Sequence, residues 1–550
     1  MNKTINYNVI VALFAMALLF SCAEDKGNYA YGDKEIITIE NIPEQISVLA
    51  NAEYIEITPT ITSNLRGEIG NDHKDFEFSC ERKDDSEWIE MCTDPATKNI
   101  RLLADIEAKT HTCRYSVIDK ETGVRYSKLF TIYATTVTSE GWLLLCNEES
   151  TNHVRVDMLS YLGLDRILPA YNVVKFSDDI VLQGPKTLNF IASQRPVGNK
   201  IIMTTDTDSY VIPSAGNQYG YGELLNVTGL QELKMNHFNI SPTDHIVKLA
   251  SIPALLQVQH DAIIAVSKEG NAFAWDYAAT GGAGFEWPIN TSARGEAPEY
   301  KVAPFIGTSR NRYYNLQNYG IALLYDIDNK RFIGWNGEGD NMGSKKQVCY
   351  PLTNPENNLF DVTNTGMDLV AIVNNLSNAL CIMQDGNNRH IYSINVLTKD
   401  FNHDGCYKNI QAEHFNEATL FEASCQYPVI YYAYQNKVYA YNYATGDYKV
   451  AVELPENEEV TMIKFNRYDE PYAGVWWLTY YMPAEEQAAF TARENQLMVA
   501  SYNSSAADDN GGTLRFYSTV SPGVDMTLVP GWEYTGFAKI VDAVYKEVRR

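Results

Sequence analysis

Catalysis is read from nucleophiles beside bases, paired carboxylates, metal-ligand spacings and phosphate-cradling glycines, and this chain carries no such pattern at a diagnostic spacing. Its nine histidines (His73, His111, His153, His237, His245, His260, His390, His403 and His414) are scattered, and none forms the His-Glu-x-x-His pair of a zinc hydrolase. No Gly-x-Ser-x-Gly elbow and no Gly-x-x-x-x-Gly-Lys loop occurs. The glycines of Thr280-Gly281-Gly282-Ala283-Gly284-Phe285 read as an inter-strand loop. A glycosidase needs two carboxylates held ~5–9.5 Å apart, and among 69 acidic residues no local signature nominates a pair. Asp326-Ile327-Asp328-Asn329 and Ser505 to Gly511 are oxygen-rich, but neither matches a twelve-residue calcium loop, and both read as polar turns. The expectation is therefore no catalytic residue, no metal and no cofactor. Aromatic side chains in loops are the remaining chemistry, because a flat ring offers apolar area while its polar atom keeps a hydrogen bond. Tyr219, Tyr221, Trp287, Tyr313, Tyr314 and Trp335 are the candidate ligand-binding residues; Trp142, Trp275, Trp476 and Trp477 sit in strand-like runs and read as core.

The strongest single feature lies at the start of the chain. Lys3 precedes an apolar run from Val9 to Phe20 that ends in Ser21-Cys22. That run is shorter than the ~20 residues of a transmembrane helix and fits the hydrophobic region of a signal peptide. A small residue before a cysteine resembles a bacterial lipobox, which makes residues 1–21 a signal peptide and Cys22 the lipid attachment site. Residues 22–34 are polar and Gly-containing, as a tether should be.

The net charge of −25 and the lack of basic tracts exclude a nucleic-acid partner, whose phosphates need Lys and Arg, and leave the acyl anchor as the only membrane contact. A chain of 550 residues exceeds one ordinary core. Its abundance of Tyr, Thr, Val and Ile points to an all-β class. The cysteines after Cys22 read mainly as buried thiols, as in Leu144-Leu145-Cys146 and Leu380-Cys381-Ile382, although Cys80 and Cys113 could bridge two sheets.

Residues 35–138 carry about seven short alternating runs, including Tyr54-Ile55-Glu56-Ile57 and Phe76-Glu77-Phe78, separated by turns such as Glu121-Thr122-Gly123. This is the pattern of an immunoglobulin-like sandwich. Residues 139–550 repeat strand couplets. Val429 to Tyr434 with Val438 to Tyr441 is the clearest, and others begin near Trp142, Ile201, Ile263, Tyr314, Leu369 and Val475. Couplets at that spacing predict a β-propeller, each couplet supplying the inner and middle strands of a four-stranded blade. Seven blades are the favoured count, with six or eight open because the outer strands are faint. The C-terminal run through Ile540, Val541, Val544 and Tyr545 suits a strand closing the ring near Trp142 better than a short amphipathic helix.

The order of parts resembles a known family. A lipobox leads to Lys26-Gly27-Asn28-Tyr29, then to a β domain ending in Tyr115-Ser116-Val117-Ile118-Asp119-Lys120-Glu121-Thr122-Gly123. There follow Ser139-Glu140-Gly141-Trp142-Leu143-Leu144-Leu145 and, at the far end, Tyr534-Thr535-Gly536-Phe537-Ala538-Lys539-Ile540-Val541. This is similar to the PKD-like lipoproteins of Bacteroidota. The resemblance implies a PKD-like sandwich before a propeller-like region, and a setting beside a SusC/SusD-like outer-membrane transporter pair. It also implies that Glu24 and Asp25, just after the lipidated cysteine, suit export to the cell exterior. The expected role is a surface-exposed outer-membrane lipoprotein that binds an oligosaccharide or oligopeptide, or assembles with the transporter. The alternatives are a propeller glycosidase or lyase with channel-mouth carboxylates, and a purely structural scaffold.

Overall fold

In the computed structural model the described residues are 34–547, apart from 72, 93–96, 164–165, 177–180, 192–199, 213–230, 234, 236–238, 253–261, 277–284, 286, 310–320, 337–347, 467 and 469–483. They are almost entirely β and form two compact units, one holding residues up to 46, 54–102 and 111–131, the other 47–53, 103–110 and 132 onward.

The N-terminal region is a β-sandwich. One sheet orders Gln45–Leu49, Arg125–Thr135, Thr110–Asp119, Phe76–Asp84 and Glu87–Glu90; another orders Ile37–Glu40, Thr60–Ser63 and Gly67–Glu68; Tyr54–Ile57 pairs with Ile100–Leu103. Alternation decides which side chains go inside: Ile55, Ile57, Phe76, Phe78, Tyr115 and Val117 are buried while their sequence neighbours Glu56 and Glu77 are exposed. The Glu121-Thr122-Gly123 turn forms because the Asp119 carboxylate accepts the N–H groups of Glu121 and Thr122 (2.8 and 3.0 Å), and Gly123 supplies φ +71°. Cys80 and Cys113 lie on neighbouring strands of one sheet, where Arg82 is paired with Cys113 and Cys80 with Tyr115, so the two-sheet bridge is corrected. Both are buried thiols, and burial raises the Cys80 pKa, with Cys113 and Cys92 adding to the shift.

The C-terminal region is a seven-bladed propeller. Blade 1 runs from the axis outward through Lys539–Lys546, Gly141–Glu148, His153–Gly163 and Arg166–Ala170; blade 2 through Pro185–Ile191, Lys200–Thr205, Ser209–Ile212 and Gln231–Glu232. Blade 3 has Ile246–Ile252, Ala262–Ser267 and Ala272–Asp276. Blade 4 has Ile321–Asp326, Arg331–Asn336 and Tyr350–Pro351. Its innermost position is filled by residues 302–308, with Gly307 and Leu323 exchanging N–H···O bonds of 2.8 Å. Blades 5, 6 and 7 begin at Asp368–Asn374, Leu420–Ala423 and Glu459–Phe465, each followed by three further antiparallel strands.

Why seven sheets close into a ring follows from the faces of the second strand in each blade. In blade 6, Ile430 and Tyr432 join a core with Leu380, Ile382 and Ile391 of blade 5, whereas Val429, Tyr431 and Ala433 join a core with Leu497 and Val499 of blade 7. The same division repeats around the molecule, and six separate cores link blade 1 to 2, 2 to 3 and onward to 7. The last core returns to the start: Trp142 and Leu144 of blade 1 pack with Met498, Ala500, Leu514 and Phe516 of blade 7. A strand buried on both faces must be apolar at every position, which is why these middle strands read so clearly as couplets.

That observation corrects the assignment of the couplets. Val429–Tyr434 with Lys437–Asn442, and Ala262–Ser267 with Ala272–Asp276, are the second and third strands, not the inner and middle ones. In blades 2 to 7 the innermost segment precedes the couplet, whereas in blade 1 it is the C-terminal strand; its one free edge faces the axis. The couplet expected near Val475 falls outside the described residues; blade 7 is built from Glu459–Phe465 and Gln496–Tyr502 instead. Tyr314 also lies outside them, and its couplet is Ile321–Asp326 with Arg331–Asn336. The C-terminal run is a strand: Lys539–Lys546 pairs antiparallel with Gly141–Asn147, Trp142 opposite Tyr545, with a register shift between Leu145 and Cys146.

Candidate functional site: the central channel

The seven innermost segments surround a cavity of about 400 Å³ on the propeller axis. Each contributes an apolar body interrupted by a polar or charged residue: Asn189, Lys248, Thr308, Asn374, Glu422, Lys464 and Asp542 line the space together with Phe190, Ile372, Leu420, Met462 and Val544. With Lys186 and Glu547, which also line it, three lysines and three carboxylates share one channel and balance in charge.

Their engagement differs. Lys464 donates to the Asp542 carboxylate (2.7 Å) and to the Ala543 carbonyl (2.8 Å). Asp542 also accepts the N–H of Leu188 (2.9 Å) and of Ala543 (2.9 Å), so this one carboxylate joins the inner strands of blades 7, 1 and 2. Asn374 bridges blades 4 and 5, donating to the Ile306 carbonyl (3.1 Å) and accepting the Thr308 N–H (3.0 Å). Lys248 is half-buried and has no hydrogen-bond or ion-pair partner among the described residues. Burial lowers its pKa from the usual lysine value; Asp542 and Glu422 oppose that shift and Lys464 adds to it. Lys186, which also lines the cavity, pairs with Asp206 (2.9 Å) where both are about half-exposed.

A second polar cluster lies in blade 1, behind the channel wall. Buried Glu140 accepts the hydroxyls of Tyr133 and Tyr545 (2.9 Å each), and the buried Lys546 ammonium donates to the Ser139 carbonyl. Burial pushes the Lys546 pKa down to about 8, against the pull of Glu140. The Trp142 indole N–H meets the Asn466 side-chain oxygen (3.0 Å), and its ring makes edge contacts with Phe516, Trp532 and Tyr545. These groups fasten the closing blade.

The residues singled out from the sequence fare unequally. Tyr219, Tyr221, Tyr313 and Tyr314 lie outside the described residues, as do Cys22, Glu24, Asp25, Trp476 and Trp477. Trp287 is half-buried beside Gly295 and does not line the cavity. Trp335 is corrected: it is 3% exposed, within Arg331–Asn336, in the core between blades 3 and 4. Trp142 and Trp275 are core, as read. The oxygen-rich loops are satisfied turns. Asp326 accepts from the Asn329 N–H, the Asn329 side-chain amide and Arg331, and Asp509 accepts from Ser150. Histidines serve packing, with His403 stacked on Phe360 (3.9 Å) and His414 on Tyr434 (4.0 Å). Among the described residues no three or more His, Cys, Asp or Glu side chains are placed to hold a metal. No described helix is long and apolar enough to cross a membrane.

Sequence reasoning missed Lys248, Glu422, Lys464 and Asp542. For Lys248, Glu422 and Lys464 the signal is a charge inside a short apolar run just upstream of a couplet, as in Ile246-Val247-Lys248-Leu249; for Asp542 it is a charge inside the apolar C-terminal run.

With this geometry in place, the family comparison decides the character of the first part of the chain. Residues 22–176 match the PKD-like family. The PKD-like match covers the whole N-terminal sandwich and runs into the first blade. No curated protein matches the chain. Among solved structures, a quinonprotein alcohol dehydrogenase-like protein from Bacteroides thetaiotaomicron aligns over 92% of this chain and 97% of its own, at 12% identity and TM-score 0.36. Apo AztD from Citrobacter koseri aligns over 86% and 98%, at 10% identity and TM-score 0.32. A structural genomics protein of unknown function from Bacteroides thetaiotaomicron aligns over 78% and 88%, at 12% identity and TM-score 0.27. The propeller is established by its own strand pairing and seven cores, independently of these likenesses.

Proposed function

We propose that the protein is a non-enzymatic binding lipoprotein, anchored through Cys22 in the outer membrane and facing the cell exterior. It serves as an accessory ligand-binding or assembly subunit of a SusC/SusD-like system that takes up glycans or oligopeptides. The observation that carries the binding role is the axial cavity, into which seven inner segments present polar groups. Function on such scaffolds resides in side chains held by a rigid frame. The pairing of Asp542 with Lys464 and two backbone N–H groups supports binding over glycoside hydrolysis, because that carboxylate is already committed.

The anchor reading draws support from the PKD-like match, which begins at Cys22. Acylation of that cysteine supplies retention, at ~0.8 kcal/mol per buried methylene. The test is cell fractionation with radiolabelled palmitate and surface proteolysis of intact cells. The wild type partitions with the outer membrane, takes up label and is cleaved from outside. Cys22→Ala loses the label and leaves the membrane fraction. Unchanged labelling and partitioning in the variant overturns the anchor, and failure to co-purify with the transporter pair overturns the uptake role.

A further inference from the structure

The structure assigns the axial cavity to a small hydroxylated carboxylate of uronic-acid type, its carboxylate group held by Lys248. This deepens the ligand-binding reading above and rests on it. Two of the channel charges already have protein partners. Lys464 has a carboxylate and a carbonyl as acceptors, and Asp542 has an ammonium and two backbone N–H donors. Lys248 presents an ammonium with three donors to the same cavity and meets no protein acceptor among the described residues. A half-buried ammonium without an acceptor is costly to keep, whereas a carboxylate placed against it forms charge-assisted hydrogen bonds in a partly desolvated space.

A second observation points to hydroxyl recognition. Thr308 lines the same cavity, and its buried hydroxyl oxygen has no hydrogen-bond partner among the described residues. Leu420 and Val544 supply apolar wall between such polar points, and a sugar ring, polar at its edge and apolar on its faces, fits that alternation. Size narrows the class further. At about 400 Å³ the space lies near the lower end of the ~300–1,000 Å³ range of ligand sites, a volume that suits a monosaccharide or disaccharide.

The experiment is isothermal titration of the full chain in detergent with D-glucuronate and with D-glucose, which differ at a single carbon. Lys248→Met and Lys248→Arg are run alongside, with thermal melting to confirm that each variant is folded. Glucuronate binds at least ~10-fold more tightly than glucose, as one charge-assisted contact requires. Lys248→Met erases that preference, and Lys248→Arg keeps part of it. Equal affinity for the two sugars, or a preference untouched in folded Lys248→Met, overturns the carboxylate assignment while leaving ligand binding intact. No heat with either sugar also overturns it; the wider binding reading then stands or falls on neutral oligosaccharides and peptides titrated separately.

Discussion

Replacing Lys464 by methionine tests whether the ring is held at its seam from the inside. The ammonium it removes bridges the Asp542 carboxylate and the Ala543 carbonyl, so blade 7 loses its polar tie to the closing strand. Breaking a fully buried pair costs ~3–5 kcal/mol and an exposed pair contributes ~1 kcal/mol or less. Here the side chains are 33% and 15% exposed, and Asp542 keeps the N–H groups of Leu188 and Ala543, which places the loss between those limits at about 2 kcal/mol. Asp542→Asn, which leaves Lys464 facing a neutral amide, costs a similar amount. The two losses are one interaction counted twice, so Lys464→Met with Asp542→Asn also costs about 2 kcal/mol, not 4, a coupling of about 2 kcal/mol. The assay is urea unfolding followed by tryptophan fluorescence, since Trp142, Trp275, Trp335 and Trp532 all lie in the propeller. Single-variant costs that add within ~0.5 kcal/mol, or a Lys464→Met loss below ~0.5 kcal/mol, refute the inner-seam argument.

Deleting residues 539–550 removes the innermost strand of blade 1, and the truncated chain loses its cooperative propeller transition in near-ultraviolet circular dichroism; an unchanged transition contradicts closure by that strand. Gly307→Ala puts a Cβ 2.8 Å from that of Ala379 and 2.9 Å from that of Leu323, and destabilises by ~1–3 kcal/mol in chemical denaturation. Glu458 is pushed up by burial, but its bonds to Arg515 and Ser501 outweigh that and hold its pKa below 4.5. A depressed folded-state pKa contributes stability that is present above about pH 4.5 and lost as pH falls further. Glu458→Gln therefore lowers the melting temperature at pH 7 and flattens the acid limb of the pH–melting curve, whereas an unchanged limb sinks the assignment. Trp335→Ala costs ~3–5 kcal/mol in unfolding yet leaves glucuronate affinity unaltered in the folded fraction, as a core residue should.

The parts of the fold legible in the sequence are those where burial is two-sided. Val429 to Tyr434 and Leu143 to Cys146 touch a different neighbour on each face, so every position is apolar and the strands announce themselves. Leu420–Ala423 is short and carries Glu422, and Pro185–Ile191 opens on Pro185-Lys186, so no run of uniform character marks the axial strands. Blade 4 shows the extreme case. Residues 302–308 fill an axial position through single bridges, with nothing in Val302-Ala303-Pro304-Phe305 to suggest a strand. The channel charges were hidden for the same reason. Lys248 and Asp542 lie almost 300 positions apart and acquire meaning only when the ring brings them to one enclosure. Trp335 was misplaced because its neighbours Gly334 and Asn336 look like loop residues, although Gly334 is there for space: a Cβ would fall 2.7 Å from the Phe401 ring.

The pairing of Trp142 with Tyr545 also sets an order of events. Glu140 and the Tyr545 hydroxyl that binds it are 405 positions apart, so blade 1 waits for nearly all of the propeller to be made before it is whole. Until that late strand arrives, Gly141–Glu148 offers an open edge and Trp142 has no partner in Tyr545. Folding of the ring is therefore dominated by a contact of very large sequence separation, and the strand that locks the wheel is the last of its inner segments to be made.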